Sequence, residues 1–316
     1  MAKYLVTGGA GFIGSNIVDE LLRRGHEVRV LDDFSTGRED NVAGFAGRID
    51  LVRGDVRDAG TVDAAVRGMD YVLHQAALAS VPRSVADPSS NNQVNVQGTL
   101  NVLIAAHRHK VRRVVYASSS SVYGDSDVLP KVETMTPNPK SPYAVAKLAA
   151  EYYCRVFGDL YGLPTVALRY FNVFGPRQDP NSQYSAVIPI FVKALVEGRS
   201  PTIHGDGEQS RDFTYIANVV NANLLACEAN LTGSRVYNIA CGGRYTLNQL
   251  FDALRSRIGS DVKPAYGPPR PGDVKHSMAG IDLIQSEIGY RVGVSFEEGV
   301  DRTVRWYQDV GLKALR

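Results

Sequence analysis

The chain has 316 residues, 44% of them hydrophobic, and a formal net charge of +2. That length and composition leave room for one large domain or two intimate ones with a sizeable core, and the balance of charge, without a dense Lys/Arg cluster, argues against a nucleic-acid surface. The three cysteines, Cys154, Cys227 and Cys241, lie far apart without metal-ligand spacing, so neither disulfides nor a metal are expected.

In chain order, a strand begins within three residues of Met1, which leaves no space for a signal peptide. No apolar run is long enough to span a bilayer, and a cytoplasmic protein with no membrane partner is expected. The short apolar run Lys3-Tyr4-Leu5-Val6 ends at Thr7, and glycines follow at positions 8, 11 and 14. From Phe12 the apolar spacing becomes helical, with Ile13, Ile17 and Leu21 on one face. Strand, tight turn and helix in this order leave backbone N–H groups free at the helix start, where a pyrophosphate can dock. Gly8 permits the turn, Gly11 the approach of phosphate, and Gly14 close helix–strand packing. The next strand, Val28 to Leu31, ends at Asp32, whose carboxylate suits an adenosine ribose and repels a 2′-phosphate. The expected cofactor is NAD.

Strand-like runs at 49–52, 71–74, 113–116 and 165–169 alternate with helical segments near 61–67, 92–109 and 143–161. This alternation predicts a Rossmann-type α/β fold, a doubly wound parallel sheet whose ligand lies outside the carboxyl ends of the strands. The basic tract His107 to Arg113 reads as a solvated helix end. From about 173 the pattern changes, and Val236 to Ile239 reads as one more sheet strand. The expected organisation is an NAD-binding domain of residues 1–171 plus about 213–241. A smaller, discontinuous C-terminal substrate domain takes about 172–212 and 242–316.

Tyr143 and Lys147 are spaced i, i+4 behind Pro142, on one face of a helix. A tyrosine is a poor base at neutral pH; a neighbouring ammonium favours the phenolate and is expected to lower its pKa. Such a tyrosine can take a proton from an alcohol while hydride leaves its carbon. The serine run 118–121 follows a strand, and Ser119 reads as the hydrogen-bonding third member. Arg211 and Arg270 are candidate diphosphate clamps, because a guanidinium offers a planar fork to phosphate oxygens.

With TGGAGFIGS, LDDFSTG, SSSSVYGD, SPYAVAK, RYFNVFGPRQ and SRDFTYI in view, the chain resembles the extended short-chain dehydrogenase/reductases that act on nucleotide sugars. It is most similar to the UDP-hexose 4-epimerases, particularly the bacterial UDP-N-acetylglucosamine 4-epimerases. The resemblance implies that Gly8, Gly11, Phe12, Ile13 and Gly14 hold the NAD pyrophosphate, with Asp32, Ser35, Thr36 and Gly37 at the adenosine ribose. It puts Asp55 and Val56 beside the adenine, Gln75, Ala76, Ala77 and Asn95 along the cleft, and Lys147 and Tyr170 at the nicotinamide. Ser119, Tyr143 and Lys147 are implied as catalytic. Ser80, Ser119, Ser120, Asn172, Ala186, Val187, Thr202, Arg211, Arg270, Asp273 and Ser277 are implied around the UDP-sugar.

The activity so implied is a redox-neutral 4-epimerisation through a transient 4-keto sugar. Ser120 and Ser121 stand where sugar 4,6-dehydratases carry an Asp-Glu pair, and Ser121 where UDP-glucuronate decarboxylases carry glutamate. Ser277 stands where hexose-restricted relatives have tyrosine, and Ala79 where many have lysine; both point to an N-acetylated sugar. A UDP-uronic acid epimerase, with Arg83 as the extra cation, is the alternative among enzymes, and a non-catalytic NAD(H) sensor is the alternative outside them. Because family members pair the corresponding helices as a four-helix bundle, the resemblance implies a homodimer through the helices that carry Val102, Ala105, Ala106, Ala149 and Ala150.

Overall fold

The computed structural model describes residues 1–179, 186–269 and 275–310. The first half alternates β1 (Lys3–Thr7), α1 (Phe12–Arg23), β2 (Glu27–Asp32), α2 (Glu39–Ala43), β3 (Asp50–Arg53), α3 (Ala59–Val66) and β4 (Tyr71–His74). Then come α4 (Val81–Ala86), α5 (Pro88–Asn92), a π-helical turn over Gln93–Gln97, α6 (Gly98–Arg108), β5 (Arg113–Ser119), α7 (Pro142–Tyr161) and β6 (Thr165–Tyr170). The second half holds β7 (Val173–Phe174), α8 (Val187–Val196), β8 (Thr202–His204), β9 (Ser210–Arg211), β10 (Thr214–Tyr215), α9 (Ile216–Glu228), β11 (Ser234–Ile239), β12 (Tyr245–Thr246), α10 (Leu247–Ile258), β13 (Ala265–Gly267), α11 (Asp282–Ile288) and α12 (Phe296–Val310).

Seven parallel strands form one sheet in the order β11-β6-β5-β4-β1-β2-β3. The near-continuous apolar runs of these strands are what burial on both faces demands. Successive side chains sort to opposite faces: Val6, Val30, Leu73, Val115 and Leu168 into one core cluster, Leu5, Leu31, Val72, Val114 and Ala167 into the other. The first cluster continues without a break into Phe174, Phe191, Phe213, Phe251 and Phe296, so the shorter elements of the second half share the sheet's core. Chain order reverses between β1 and β4, which opens a crevice at their carboxyl ends.

Three expectations change here. The helix at 92–109 is divided: α5 passes through a π-helical turn, which contains Asn95, into α6. Such turns cluster at functional sites. Arg113 is not solvated; it is buried and donates to the carbonyls of Ala226, Cys227, Ala229 and Leu231 at the end of α9. Val102, Ala105, Ala106 and Ala150 do not face outward either, since they fill the second core cluster. The exposed apolar side chains of α6 and α7 are Ile104, Val145, Tyr152, Tyr153, Val156, Leu160 and Tyr161.

Candidate active site

The turn after β1 is built on contacts that only glycine allows. Gly8 has φ +67°, and a Cβ there would lie 2.7 Å from the Ala76 nitrogen. A Cβ on Gly14 would lie 2.1 Å from the Gly8 oxygen, whereas one on Gly11 meets only that oxygen, at 3.2 Å. Gly11 is the N-cap of α1 and has no side chain to cap it, so the first N–H groups of the helix point into the crevice. At the end of β2 the buried Asp32 accepts from Ala10 N–H and Phe34 N–H, both at 2.8 Å. Burial pushes its carboxyl above the ordinary range, against those two hydrogen bonds.

A cleft runs from this turn to α7. It is lined by Gly8, Gly11, Phe12, Ile13, Gly14, Asp32, Ser35, Thr36, Gly37, Val56, Gln75, Ala76, Ala77, Tyr143, Lys147 and Tyr170, all expected around the cofactor. Two expected residues stand back from it. Asp55 pairs with the Arg57 guanidinium and accepts from Arg57 N–H. Asn95 is buried and braces Leu78, accepting from its N–H at 2.9 Å and donating to its carbonyl at 3.3 Å. The glycine cradle, the uncapped helix start and a carboxylate at the end of β2 fit a dinucleotide.

α7 begins sharply because Ser141 caps it, accepting from Ala144 N–H at 3.2 Å, and Pro142 fixes its first turn. Ser84 accepts from Tyr143 N–H at 3.1 Å and ties that turn to α4. The Ser119 hydroxyl accepts from Ser121 N–H at 3.2 Å and lies near enough to the Tyr143 phenol to lower its pKa. The Lys147 ammonium donates to the Ala117 carbonyl at 2.8 Å and lies 5.0 Å from the Tyr116 ring centroid and 5.8 Å from that of Tyr143. The expected lowering of the phenol is not what the chain's own groups produce. Burial holds Tyr143 above its ordinary value, opposed by the nearby Ser119 hydroxyl. Burial also brings Lys147 down to about 7, opposed by the charge of Glu151. Both results have one cause: a low-dielectric pocket disfavours either charged form.

Two further cavities continue along the same edge. One is lined by Asn172, Ala186, Val187, Thr202 and Arg211, as expected, and by Phe174, Ile190, Phe191 and Phe213, which the motifs did not reveal. The other is lined by Ser120, Ser121, Tyr123, Lys131, Lys140, Asn172, Arg211 and Ser277. Asn172 and Arg211 border both, and Ser119 sits in sequence between the cofactor cleft and the second of these. The Ser121 hydroxyl is buried with no hydrogen-bond partner among the described residues. Ser80 caps α4, accepting from Arg83 N–H at 3.1 Å. Arg270 and Asp273 lie outside the described residues.

Sequence reasoning missed Asp212. It is fully buried, and its carboxylate accepts from the N–H groups of Cys241, Gly242 and Ala279 at 3.0–3.2 Å. It thereby ties Arg211 to the segment carrying Ser277, whose own N–H donates to the Ser210 carbonyl at 3.0 Å. It missed Lys131 too, and the buried Glu151–Arg169 pair, although Glu151 follows Lys147 by four residues.

A parallel sheet with its crevice at the β1–β4 reversal, a glycine cradle and a Tyr-x-x-x-Lys helix define a Rossmann-fold enzyme of the short-chain dehydrogenase/reductase type. Comparison with known proteins narrows this. Residues 4–240 match the model of the NAD dependent epimerase/dehydratase family. The UDP-glucose 4-epimerase of Mycolicibacterium smegmatis is 38% identical, over 97% of this chain and 99% of that protein. Among solved structures, the UDP-N-acetylglucosamine 4-epimerase of Methanobrevibacter ruminantium, in complex with UDP-N-acetylmuramic acid, superposes with a TM-score of 0.94 at 42% identity, covering 98% of this chain and 99% of that one. The Thermus thermophilus UDP-glucose 4-epimerase complex with NAD gives 0.89 at 39% identity, covering 98% and 100%. The chain belongs to the NAD dependent epimerase/dehydratase family and is an NAD-dependent enzyme.

Proposed function

We propose that this NAD-dependent UDP-sugar 4-epimerase acts preferentially on N-acetylated hexoses, interconverting UDP-GlcNAc and UDP-GalNAc through a transient 4-keto sugar. The observation that carries the sugar assignment is the cavity beyond Ser119. Its wall at Ser120, Ser121 and Ser277 is made of small hydroxyl side chains, leaving volume and unspent hydrogen bonds for an acetamido group. The same serines supply no acid or base for dehydration or decarboxylation.

Bound NAD supplies a reversible hydride acceptor. Tyr143 receives and returns the proton of the C4 hydroxyl, and Ser119, close to its phenol, shares the reacting oxygen. Lys147 places a cation beneath the phenol and at the cofactor end of the cleft. The cavity bounded by Phe174, Phe191 and Phe213 holds the uridine, and Arg211 with Asn172 the diphosphate. Arg270 and Asp273 complete that grip in our reading. Anchoring UDP while leaving the sugar free to turn presents both faces of C4 to one cofactor face.

Residues 1–171 with about 213–241 act as the NAD-binding unit and the remainder as the substrate unit. The apolar stripe Val145, Tyr152, Val156 and Leu160 on α7, with Ile104 on α6, supports a homodimer through a four-helix bundle. The free thiols support a reducing, cytoplasmic setting; among the described residues no helix is long and apolar enough to cross a membrane.

A second reading has its own observation. Arg83 does not border the sugar cavity, but Lys131 and Lys140 do, and cations there favour a uronic acid. Turnover of UDP-GlcNAc, UDP-glucose and UDP-glucuronate side by side, without added NAD, separates these readings by NMR of the products. Conversion of the plain hexose alone refutes the N-acetyl assignment, and conversion of the uronate alone supports the second reading.

A further inference from the structure

Beneath the Tyr143–Lys147 pair lies a buried charge cluster. Glu151, one turn beyond Lys147 on α7, is 3% exposed and Arg169 on β6 is 4% exposed. The Arg169 guanidinium grips both carboxylate oxygens of Glu151, at 2.9 and 2.7 Å. The Ser118 hydroxyl donates to the same carboxylate. Arg169 also lies 4.8 Å from the ring centroid of Tyr123. The Tyr123 hydroxyl donates to Asn238 at 2.7 Å, and Asn238 in turn donates to the carbonyls of Lys131 and Gly280. Tyr123 and Lys131 both border the proposed sugar cavity.

A buried ion pair replaced by apolar side chains often costs nothing in stability, so its presence under an active site calls for another reason. Tyr143 and Glu151 stand one turn to either side of Lys147 on α7, where i, i+4 side chains share a face. The ammonium lies 5.0 Å from the Tyr116 ring centroid on β5 and 5.8 Å from that of Tyr143; the charges of Glu151 and Cys154 act on it, and it acts on buried His74 of β4. Glu151 is the carboxylate among them. We propose that Glu151, clamped by Arg169 and Ser118, is the positioning counter-ion of the catalytic pair, holding Lys147 as an ammonium beneath Tyr143. Arg169 acts on Glu151 by fixing it so that it compensates Lys147 without displacing the Ala117 carbonyl as its hydrogen-bond partner. This rests on the reading of Tyr143 and Lys147 as the catalytic pair.

The test is Glu151→Gln, read two ways. The first is the pH dependence of kcat/KM on whichever UDP-hexose turns over. The second is acetylation of Lys147 against pH by acetic anhydride, read by mass spectrometry without substrate. Loss of the carboxylate moves the alkaline limb and the acetylation midpoint down together, by roughly 1 pH unit. Glu151→Asp, which keeps the charge, restores both. Should Glu151→Gln not fold, the double variant Glu151→Gln with Arg169→Met removes the guanidinium that the lost carboxylate would strand, and its acetylation midpoint lies below that of Arg169→Met alone, which keeps the carboxylate. An unmoved midpoint in Glu151→Gln, or equal midpoints in the double variant and Arg169→Met, overturns the proposal. Acetylation needs no sugar, so an incorrect sugar assignment leaves this readout intact.

Discussion

Gly14 and Gly11 belong to the same turn, yet alanine at each should fail differently. At Gly14 the added methyl meets backbone, 2.1 Å from the Gly8 oxygen and 2.8 Å from the Gly9 Cα. Backbone inside a turn cannot step aside, so the overpacking cost falls toward the upper part of the usual range of about 1–3 kcal/mol. Alanine's better helix propensity returns at most about 1 kcal/mol of this. Gly14→Ala is therefore destabilised by roughly 1–2 kcal/mol, a fall of a few degrees in Tm. Gly11→Ala adds a methyl with only one contact, at 3.2 Å, on the cleft side. It should melt like the parent but bind NAD at least about tenfold more weakly, equivalent to about 1.4 kcal/mol. Thermal melts of nucleotide-free protein and calorimetric NAD titration separate the two effects. A parental Tm for Gly14→Ala, or an equal fall in Tm for both, refutes the reasoning.

Tyr143→Phe should bind NAD normally and lose about 10²–10⁴-fold in epimerisation, the usual worth of a positioned proton-transfer group; parental turnover removes Tyr143 from the catalytic role. Ser277→Tyr fills the sugar cavity and should cost about 1–3 kcal/mol against UDP-GlcNAc while sparing UDP-glucose; the ratio of kcat/KM values for the two sugars reports it. His74 is buried between the Thr7 hydroxyl at 2.6 Å and the Thr99 hydroxyl at 3.0 Å, and burial brings its pKa down to about 3. Its folded form refuses a proton that the unfolded chain accepts near 6.5, so the stability it contributes is present above that pH. That stability is lost as pH falls toward 3, by up to about 1.4 kcal/mol per pH unit. Urea titrations of His74→Gln between pH 7 and 4 should show a flatter pH dependence than the parent, and equal slopes count against the assignment. Leu160→Glu, at a side chain 75% exposed on α7, should convert the proposed dimer to monomer in light scattering while leaving the far-UV circular dichroism spectrum unchanged, and it should lower the thermal midpoint by the stability that association supplied. A monomeric parent ends the four-helix-bundle reading.

Much of the cofactor side of the site was legible in the chain. The turn at Gly8, Gly11 and Gly14, the acid at Asp32 and the spacing of Tyr143 and Lys147 are local features. Turn chemistry and the i, i+4 geometry of a helix act within a few residues, so residue type and spacing determine them. Asp32, Gln75 and Tyr170 lie at or just past the ends of parallel strands, where the sheet rule puts a ligand. What failed was what depends on facing. Ala105 and Ala150 satisfy a bundle pattern and a core pattern equally well, and only packing on the sheet assigns them to the core. The direction of the Tyr143 shift also required burial, because spacing gives proximity of charge and says nothing of dielectric.

Residue pairs distant in sequence were decided by tertiary structure alone. Glu151 meets Arg169 because α7 lies across β5 and β6 at one register, and the carboxylate of Asp212 reaches Cys241, Gly242 and Ala279 because three loops converge on one edge. The Rossmann class, the glycine turn and the i, i+4 spacing of Tyr143 and Lys147 can be read from the chain because local backbone geometry sets them. Long-range register and desolvation set which charges are buried together and bring Ser277 to the cavity that Ser120 also lines.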